Sequence, residues 1–330
     1  MRIFFEGLCG RLLILLFILA LLLAAFGYAS PSYLTFANFQ AFLRAMAING
    51  IVALGLTFVI VTRRFDLSLA GVASLSAMTL GFVMAETNNL SLIIVAAISM
   101  GCLCGVVNGL LVGPGRLPDV VTTIAVGSIA YGLAFFYNGG SDYSKNFFTS
   151  GLVQVNIIRI AGLQLPVFIL LLVAVISAYV LHASRWGQAL YASGENPEAA
   201  RFSGVSTPAM TVLAFAFCGA MVGVAMLLQI AGIGSARVTA GGQIMLPAYT
   251  SVYLGAALLG RVSIAASLVG VVVMTALLNG FTLLGFPYYV SDVVMSAVLI
   301  LTITLFDRNV AARIGSMLRP HLRPNGAHHG

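Results

Sequence analysis

Leu163-Gln164-Leu165-Pro166-Val167-Phe168-Ile169-Leu170-Leu171-Leu172-Val173-Ala174-Val175-Ile176-Ser177-Ala178-Tyr179-Val180-Leu181-His182 is an apolar run with no period-two alternation. A polar island follows, Ser193-Gly194-Glu195-Asn196-Pro197-Glu198-Ala199-Ala200-Arg201-Phe202-Ser203-Gly204, and residues 208–230 are apolar again. Runs of about 17 to 24 apolar residues are long enough to cross a hydrocarbon core of about 30 Å as helix. Lipid leaves the backbone no partners, so only helical bundles or closed barrels span it, and continuous apolar runs exclude the barrel. This pattern predicts an all-α, polytopic membrane bundle.

Composition agrees. The chain is 60% hydrophobic and 8% charged over 330 residues, too little polar surface for a soluble globule. Ten spans can be drawn, at about 11–28, 44–62, 67–85, 90–112, 119–137, 163–182, 208–230, 244–260, 263–284 and 290–306. The first, preceded by Arg2 and Arg11 and ending Gly27-Tyr28-Ala29, has features of a signal peptide. Nine further spans argue for an uncleaved first helix. The expected organisation is one transmembrane domain: residues 1–43 a first span and outer loop, 44–162 a first half, 163–207 span six with a cytoplasmic loop, 208–306 a second half, and 307–330 a basic tail.

The formal charge of +7 reflects arginines at span ends and not a nucleic-acid surface. With both termini inside, the inner segments hold Arg2, Arg11, Arg63, Arg64, Arg116, Arg185, Arg201, Arg261, Arg308, Arg313, Arg319 and Arg323, and the outer ones Arg44, Lys145, Arg159 and Arg237. Twelve against four fits the positive-inside rule. The island then faces the cytoplasm, and the connection from Asn138 to Ile160 reads as an exposed outer loop.

Within the island, Asn196 can cap a helix, Pro197 suits its first position, Glu198 meets the positive end of the dipole and Gly204 can close it. A helix of about two turns is marginal alone. The pattern admits an ordinary loop or a docking knob for a soluble partner.

At an offset of 171 residues, Asn108-Gly109 meets Asn279-Gly280, and Ser68-Leu69-Ala70-Gly71 meets Thr239-Ala240-Gly241-Gly242. Displacement by five spans reverses orientation, so spans two to five and seven to ten read as an inverted repeat, an architecture common among transporters.

Interior polar groups are costly in a membrane. Here they are neutral: Asn49, Asn108, Gln229, Gln243 and Asn279. They suit the hydroxyls of a neutral solute, or helix-to-helix hydrogen bonds. Asp66, after Arg63 and Arg64, reads as one half of a local ion pair, and Asp292 similarly. Cys9, Cys102, Cys104 and Cys218 lack metal or dithiol spacing. Cys102 and Cys104 stand about 200° apart on a helix, which favours packing. His182, His321, His328 and His329 are scattered or terminal, so no metal site is expected. No embedded acidic chain suits a proton relay. The only lysine is Lys145, preceded by Ser144, so no G-x-x-x-x-G-K-[ST] phosphate loop exists. A nucleotide-driven pump would need another subunit to bind ATP.

Several segments in order resemble one family, the membrane permease subunits of bacterial ABC importers for ribose, xylose and galactose. Gly55-Leu56-Thr57-Phe58-Val59-Ile60-Val61-Thr62 followed by Phe65-Asp66-Leu67-Ser68-Leu69 is similar to its G-M-T-x-V-I-x-T-G-G-I-D-L-S-V stretch. Val107-Asn108-Gly109-Leu110-Leu111-Val112 resembles its N-G-L-L segment, and Gly187 to Gly204 its G-x-x-x-Y-A-x-G-G-N-x-x-A-A-x-x-S-G-I loop. Gly234-Ser235-Ala236-Arg237-Val238-Thr239-Ala240-Gly241 resembles G-S-A-R-P-x-A-G, and Leu278-Asn279-Gly280-Phe281-Thr282-Leu283-Leu284-Gly285 resembles N-N-G-L-N-L-L-G. The resemblance runs from about Phe39 to Asp307. Two departures stand out: Arg63-Arg64 replaces Gly-Gly, and Gly255 to Arg261 lacks part of a glycine-rich connection.

The resemblance implies a permease of the bacterial inner membrane that performs no bond chemistry and binds no cofactor. A second permease subunit, identical or a sister, would complete the path. A substrate-loaded periplasmic binding protein would dock outside. Cytoplasmic ABC ATPase subunits carrying ATP and Mg would take the island helix in a groove, with Asn196, Pro197, Glu198, Ala199, Ala200, Arg201 and Gly204 as coupling residues. Asn49, Asn108, Gln229 and Asn279 become candidates for the solute path, and Asp66, Ser68, Arg237 and Gly241 are matched motif positions. A monosaccharide or sugar-like solute is the expected cargo. The competing readings are an ABC permease for a nucleoside or branched-chain amino acid, an ion-coupled secondary transporter, and a membrane enzyme, for which no His, Asp or Glu cluster is found.

Overall fold

Among the described residues, ten long or apolar helices fall at the ten expected spans, joined by shorter elements. The computed structural model describes residues 8–306; the basic tail 307–330 and Arg2 lie outside the described residues, and with the tail its three histidines and Arg308, Arg313, Arg319 and Arg323. In chain order the helices are α1 Leu8–Ala29, α2 Phe36–Val61, α3 Leu69–Glu86, α4 Leu90–Val112, α5 Asp119–Phe136, α6 Leu152–Ile157, α7 Leu165–Ala178, α8 Arg185–Glu195, α9 Pro197–Phe202, α10 Thr207–Ile233, α11 Met245–Leu259, α12 Ile264–Leu283 and α13 Tyr288–Phe306. A π-helical turn, Tyr179–Ala183, continues α7, and a 3-10 turn, Val238–Gly241, precedes α11. A two-residue hairpin pairs β1 Arg159–Ile160 with β2 Leu163–Gln164.

Among the described residues, eight helices are long and apolar enough to cross a membrane. The other two are α11, of 15 residues, and α13, of 19. At 1.5 Å per residue α11 reaches only about 22 Å, short of the hydrocarbon thickness of about 30 Å.

α2 is the central pillar. Thr35 caps it by accepting from the Asn38 N–H at 3.3 Å, and every residue from Gly50 to Val61 is buried. It packs against α7, α10, α11 and α12. α10 lies along α4 over a seam of small residues, where Gly101 faces the Gly219 carbonyl and Gly105 the Phe215 carbonyl. In lipid such seams hold helices together by close van der Waals contact and not by exclusion of water. α1 is peripheral and largely exposed, and Arg11 Nη1 fastens it by donating to the Leu259 carbonyl at 2.6 Å.

The order of lengths repeats. α2, α3, α4 and α5 have 26, 18, 23 and 18 residues; α10, α11, α12 and α13 have 27, 15, 20 and 19. In each set an irregular segment separates the first and second helices, residues 62–68 in one and 234–244 in the other. Each segment is held by the opposite half. Tyr249 of α11 grips the backbone of Asp66, and the 3-10 turn lies on α3, where Gly241 approaches the Ala70 carbonyl too closely for a side chain.

The connection from Asn138 to Ile160 differs from the exposed loop expected of it. Tyr143 and Ala236 exchange backbone hydrogen bonds of 2.9 and 2.8 Å, Asn146 Nδ2 donates to the Ala85 carbonyl at 3.0 Å, and Phe147, Ser150 and Leu152 are buried. It covers the end of α3, anchored through a pairing 93 residues away that local polarity does not reveal.

Candidate functional site

Two places combine polar chemistry with irregular backbone. The first is the 62–68 segment. Ser68 Oγ donates to Asp66 Oδ1 at 2.5 Å, the Ser68 N–H donates to the same oxygen at 3.0 Å, and Asn108 Nδ2 donates to Ser68 Oγ at 2.7 Å. Tyr249 Oη accepts from the Asp66 N–H at 2.8 Å and donates to its carbonyl at 3.0 Å. Asp66 is 2% exposed and Asn108 fully buried. This corrects the expected ion pair: among the described residues the only salt bridge is Arg237 with Asp142, and the Asp66 partners are Ser68 and backbone. Burial raises the Asp66 carboxyl above the usual carboxylate range, and the Ser68 bonds oppose the shift. Asp292 is exposed on α13 and also lacks an ion pair among the described residues.

The other path candidates separate. Asn279 and Asn38 exchange a reciprocal pair of amide hydrogen bonds, both 2.9 Å, tying α12 to the start of α2. Thus Asn108 and Asn279, which the 171-residue offset brings into register, have different partners. Gln229 Nε2 donates to the Ala240 carbonyl at 3.4 Å, and Asn49 is half-buried on α2 without a side-chain hydrogen bond among the described residues. Gln243 is exposed. The buried amide oxygens of Asn108 and Gln229 have no partner among the described residues. Arg237 reaches Asp142 at 3.0 Å and Ser235 Oγ at 3.1 Å. Cys104 and Cys218 are buried and Cys102 half-buried, all as free thiols.

The second place is the polar island at the opposite end of α2 from Asn38. Asn196 Oδ1 accepts from the Ala199 N–H at 3.0 Å, Pro197 opens α9, and Glu198 stands exposed in its first turn. The Gly204 N–H reaches the Arg201 carbonyl at 2.9 Å and the Val205 N–H the Ala200 carbonyl at 2.9 Å, a Schellman closure whose φ of 81° at Gly204 favours glycine. Ala200 is buried, Ala199 exposed, and Arg201 Nε donates to Thr207 Oγ1 at 3.1 Å.

This helix is mechanically tied to both halves. A Cβ on Gly194 would strike the Val61 carbonyl, so α8 rests directly on the end of α2. Tyr191 Oη donates to the Val262 carbonyl at 3.0 Å, and His182 Nε2 accepts from the Ile264 N–H at 3.3 Å. One residue was missed from sequence: Phe202, 94% exposed at the end of α9. An aromatic beside alanines reads as packing, and only its exposure marks it.

The arginines sort by end. Arg64, Arg116 and Arg201 line one cavity beside α9, Arg11 reaches Leu259, and Arg261 adjoins the Val262 held by Tyr191. Arg237 lies at the other end with Asp142. Arg63 and Arg116 both adopt left-handed backbone, φ 56° and 55°. That conformation explains physically why a glycine stands at the Arg63 position in the motif that this stretch resembles.

Two sets of four helices, each holding the irregular segment of the other, with a short capped helix at one end, make this a polytopic membrane protein. The chain belongs to the family described as branched-chain amino acid transport system / permease component, whose model matches residues 38–303. It is 30% identical to the ribose import permease protein of Escherichia coli K12 over 294 residues, 88% of this chain and 92% of that one. Similarity to the ribose import permease protein of Bacillus subtilis 168 reaches 31% over 316 residues, covering 94% and 97%. The fructose import permease protein of Rhizobium meliloti is 30% identical over 284 residues, 82% and 78%. No solved structure matches the chain.

Proposed function

We propose that this protein is the membrane subunit of an ATP-binding-cassette importer that carries a monosaccharide or sugar-like solute across the bacterial inner membrane by alternating access. The observation that carries this reading is similarity along nearly the whole length of ribose import permeases, 94% of this chain and 97% of the Bacillus subtilis relative. The α9 end is cytoplasmic, in keeping with the arginines gathered there, and both termini lie on that side. ATPase subunits on separate chains bind ATP and Mg and receive α9. A periplasmic binding protein delivers the solute at the Arg237 end, and a second permease subunit completes the path.

The coupling follows from the contacts. α8 touches the end of α2 through Gly194 and the α11–α12 connection through Tyr191, His182 of the π-helical turn before α8 holds the start of α12, and α9 reaches α10 through Arg201. A force applied at Phe202 and Glu198 therefore reaches both halves at once. The halves also meet at the α9 end of the bundle, where Ser68 bonds Asp66, Asn108 bonds Ser68 and Tyr249 holds the Asp66 backbone, so this clasp links the first half to the second beside the coupling contacts.

The test is ATP-dependent uptake of labelled ribose by vesicles holding this subunit with its ATPase and binding protein, with leucine as the competing solute because of the family's description. Uptake of ribose but not leucine, lost in Glu198→Lys and Gly204→Pro together with ATPase co-purification, supports the reading. Uptake that ignores ATP, or survives both changes, refutes it.

A further inference from the structure

Behind α9 lies a cavity of 140 Å³ to which five segments contribute: the turn after α2, the end of α4 with the turn that follows it, α8, α9 and the start of α10. That is about ten times the ~10–15 Å³ that one water needs. Three of its lining residues are Arg64, Arg116 and Arg201, all exposed at its mouth and one from each of three segments, and no acidic side chain among the described residues lines it. None of the three has a carboxylate within ion-pair distance among the described residues. Arg201 spends only Nε, on Thr207, leaving its other guanidinium nitrogens available. Ser193 also lines the cavity; it is 7% exposed, and its Oγ has no hydrogen-bond partner among the described residues.

Three like charges brought to one recess repel, and a buried hydroxyl without a partner costs free energy. A tetrahedral oxyanion answers both. Its oxygens can accept from several guanidinium groups at once, the planar fork of Arg matching phosphate geometry, and a turn of the Ser193 side chain, whose Oγ is itself covered, would let the hydroxyl donate to one more oxygen. A carboxylate offers fewer acceptors for a recess walled from several sides.

We propose that this recess is a binding site for a phosphate-class oxyanion, either free phosphate or a phosphate monoester, or the headgroup of an anionic phospholipid at the membrane surface. Bound there, the anion joins α9 to the ends of α2 and α4 and sets how firmly the island helix is seated. The proposal concerns binding at the α9 end and stands whichever solute is transported.

The test uses the full-length protein in nanodiscs of phosphatidylcholine, with thermal unfolding followed during titration of inorganic phosphate against potassium chloride at matched ionic strength. The expected result is a saturable rise in Tm with phosphate and none with chloride. Arg64→Ala, Arg116→Ala and Ser193→Ala, each monodisperse with unchanged helicity, weaken it, the arginine changes by at least about tenfold, the loss expected for a charge-assisted hydrogen bond. Nanodiscs of phosphatidylglycerol identify the source. Protection by that lipid without phosphate, absent in Arg64→Ala, assigns the site to a headgroup; protection by phosphate in phosphatidylcholine assigns it to a free anion. If neither protects, or protection persists undiminished in the Arg64→Ala/Arg116→Ala double variant, the proposal is wrong. The arginines then serve as contacts for the ATPase, which Arg64→Glu would disrupt in co-purification.

Discussion

Replacing Tyr249 by Phe removes one oxygen atom and, with it, both hydrogen bonds that fix the 62–68 segment to the second half. The hydroxyl accepts from the Asp66 N–H at 2.8 Å and donates to its carbonyl at 3.0 Å. Asp66 is 2% exposed and Tyr249 5%, so water does not readily replace the lost partner. Each buried backbone group left unpaired costs about 1–3 kcal/mol, and because the ring remains no cavity opens. The expected loss is about 2–6 kcal/mol, the sum of two such groups. Tyr253, stacked on Tyr249 with ring centroids 6.3 Å apart, is the control. Its hydroxyl makes no hydrogen bond among the described residues, and Tyr253→Phe should fall within about 0.5 kcal/mol of wild type. The assay is equilibrium unfolding in mixed micelles with increasing dodecyl sulfate, followed by far-UV ellipticity. Ser68→Ala combined with Tyr249→Phe should cost less than the two singly, since both act through Asp66. If Tyr249→Phe unfolds within 0.5 kcal/mol of wild type, the segment is not held by this clasp and the interlocking of the halves is misjudged.

Further outcomes follow from single contacts. Gly194→Val drives a side chain against the Val61 carbonyl, so α8 lifts from α2; ATPase subunits should still co-purify while ATP hydrolysis no longer drives uptake. Phe202→Asp alters a side chain that is 94% exposed, so the isolated subunit should unfold within about 0.5 kcal/mol of wild type; its ATPase co-purification should fall at least tenfold, and retention would remove Phe202 from the docking face. Arg63→Gly relieves left-handed backbone at φ 56° and should stabilise the subunit by about 0.5–1 kcal/mol after the added freedom of the unfolded chain is counted, read in the same micelle titration.

What the sequence could tell depended on how far apart the partners lie. The cap of α9 is local: Asn196 meets Ala199 and Gly204 meets Arg201, each three residues apart, so the order of residues alone carries it. The apolar runs are equally self-contained, since a helix in lipid must satisfy its own backbone. Asp66 was read as an ion pair because Arg63 and Arg64 are its neighbours in sequence; its real clasp, Tyr249, comes 183 residues later. The connection after α5 looked solvated because Gly139, Gly140 and Ser141 are turn formers, while its anchoring rests on Ala236. Asn108 and Asn279 share a place in the repeat, yet Asn108 finds Ser68 and Asn279 finds Asn38. Which partner a neutral amide takes is decided by the packing around it and not by its position along the chain.

The crossed clasp also sets a schedule for synthesis. When α2 and α3 have entered the membrane, the N–H and carbonyl of Asp66 still await a hydroxyl 183 residues downstream. At about 5–20 residues per second the ribosome needs roughly 10–40 s to supply it. For that interval the first half is a nascent chain with an open polar turn, so a message truncated before Tyr249 should yield a product that membrane quality control degrades, however complete its first five spans are.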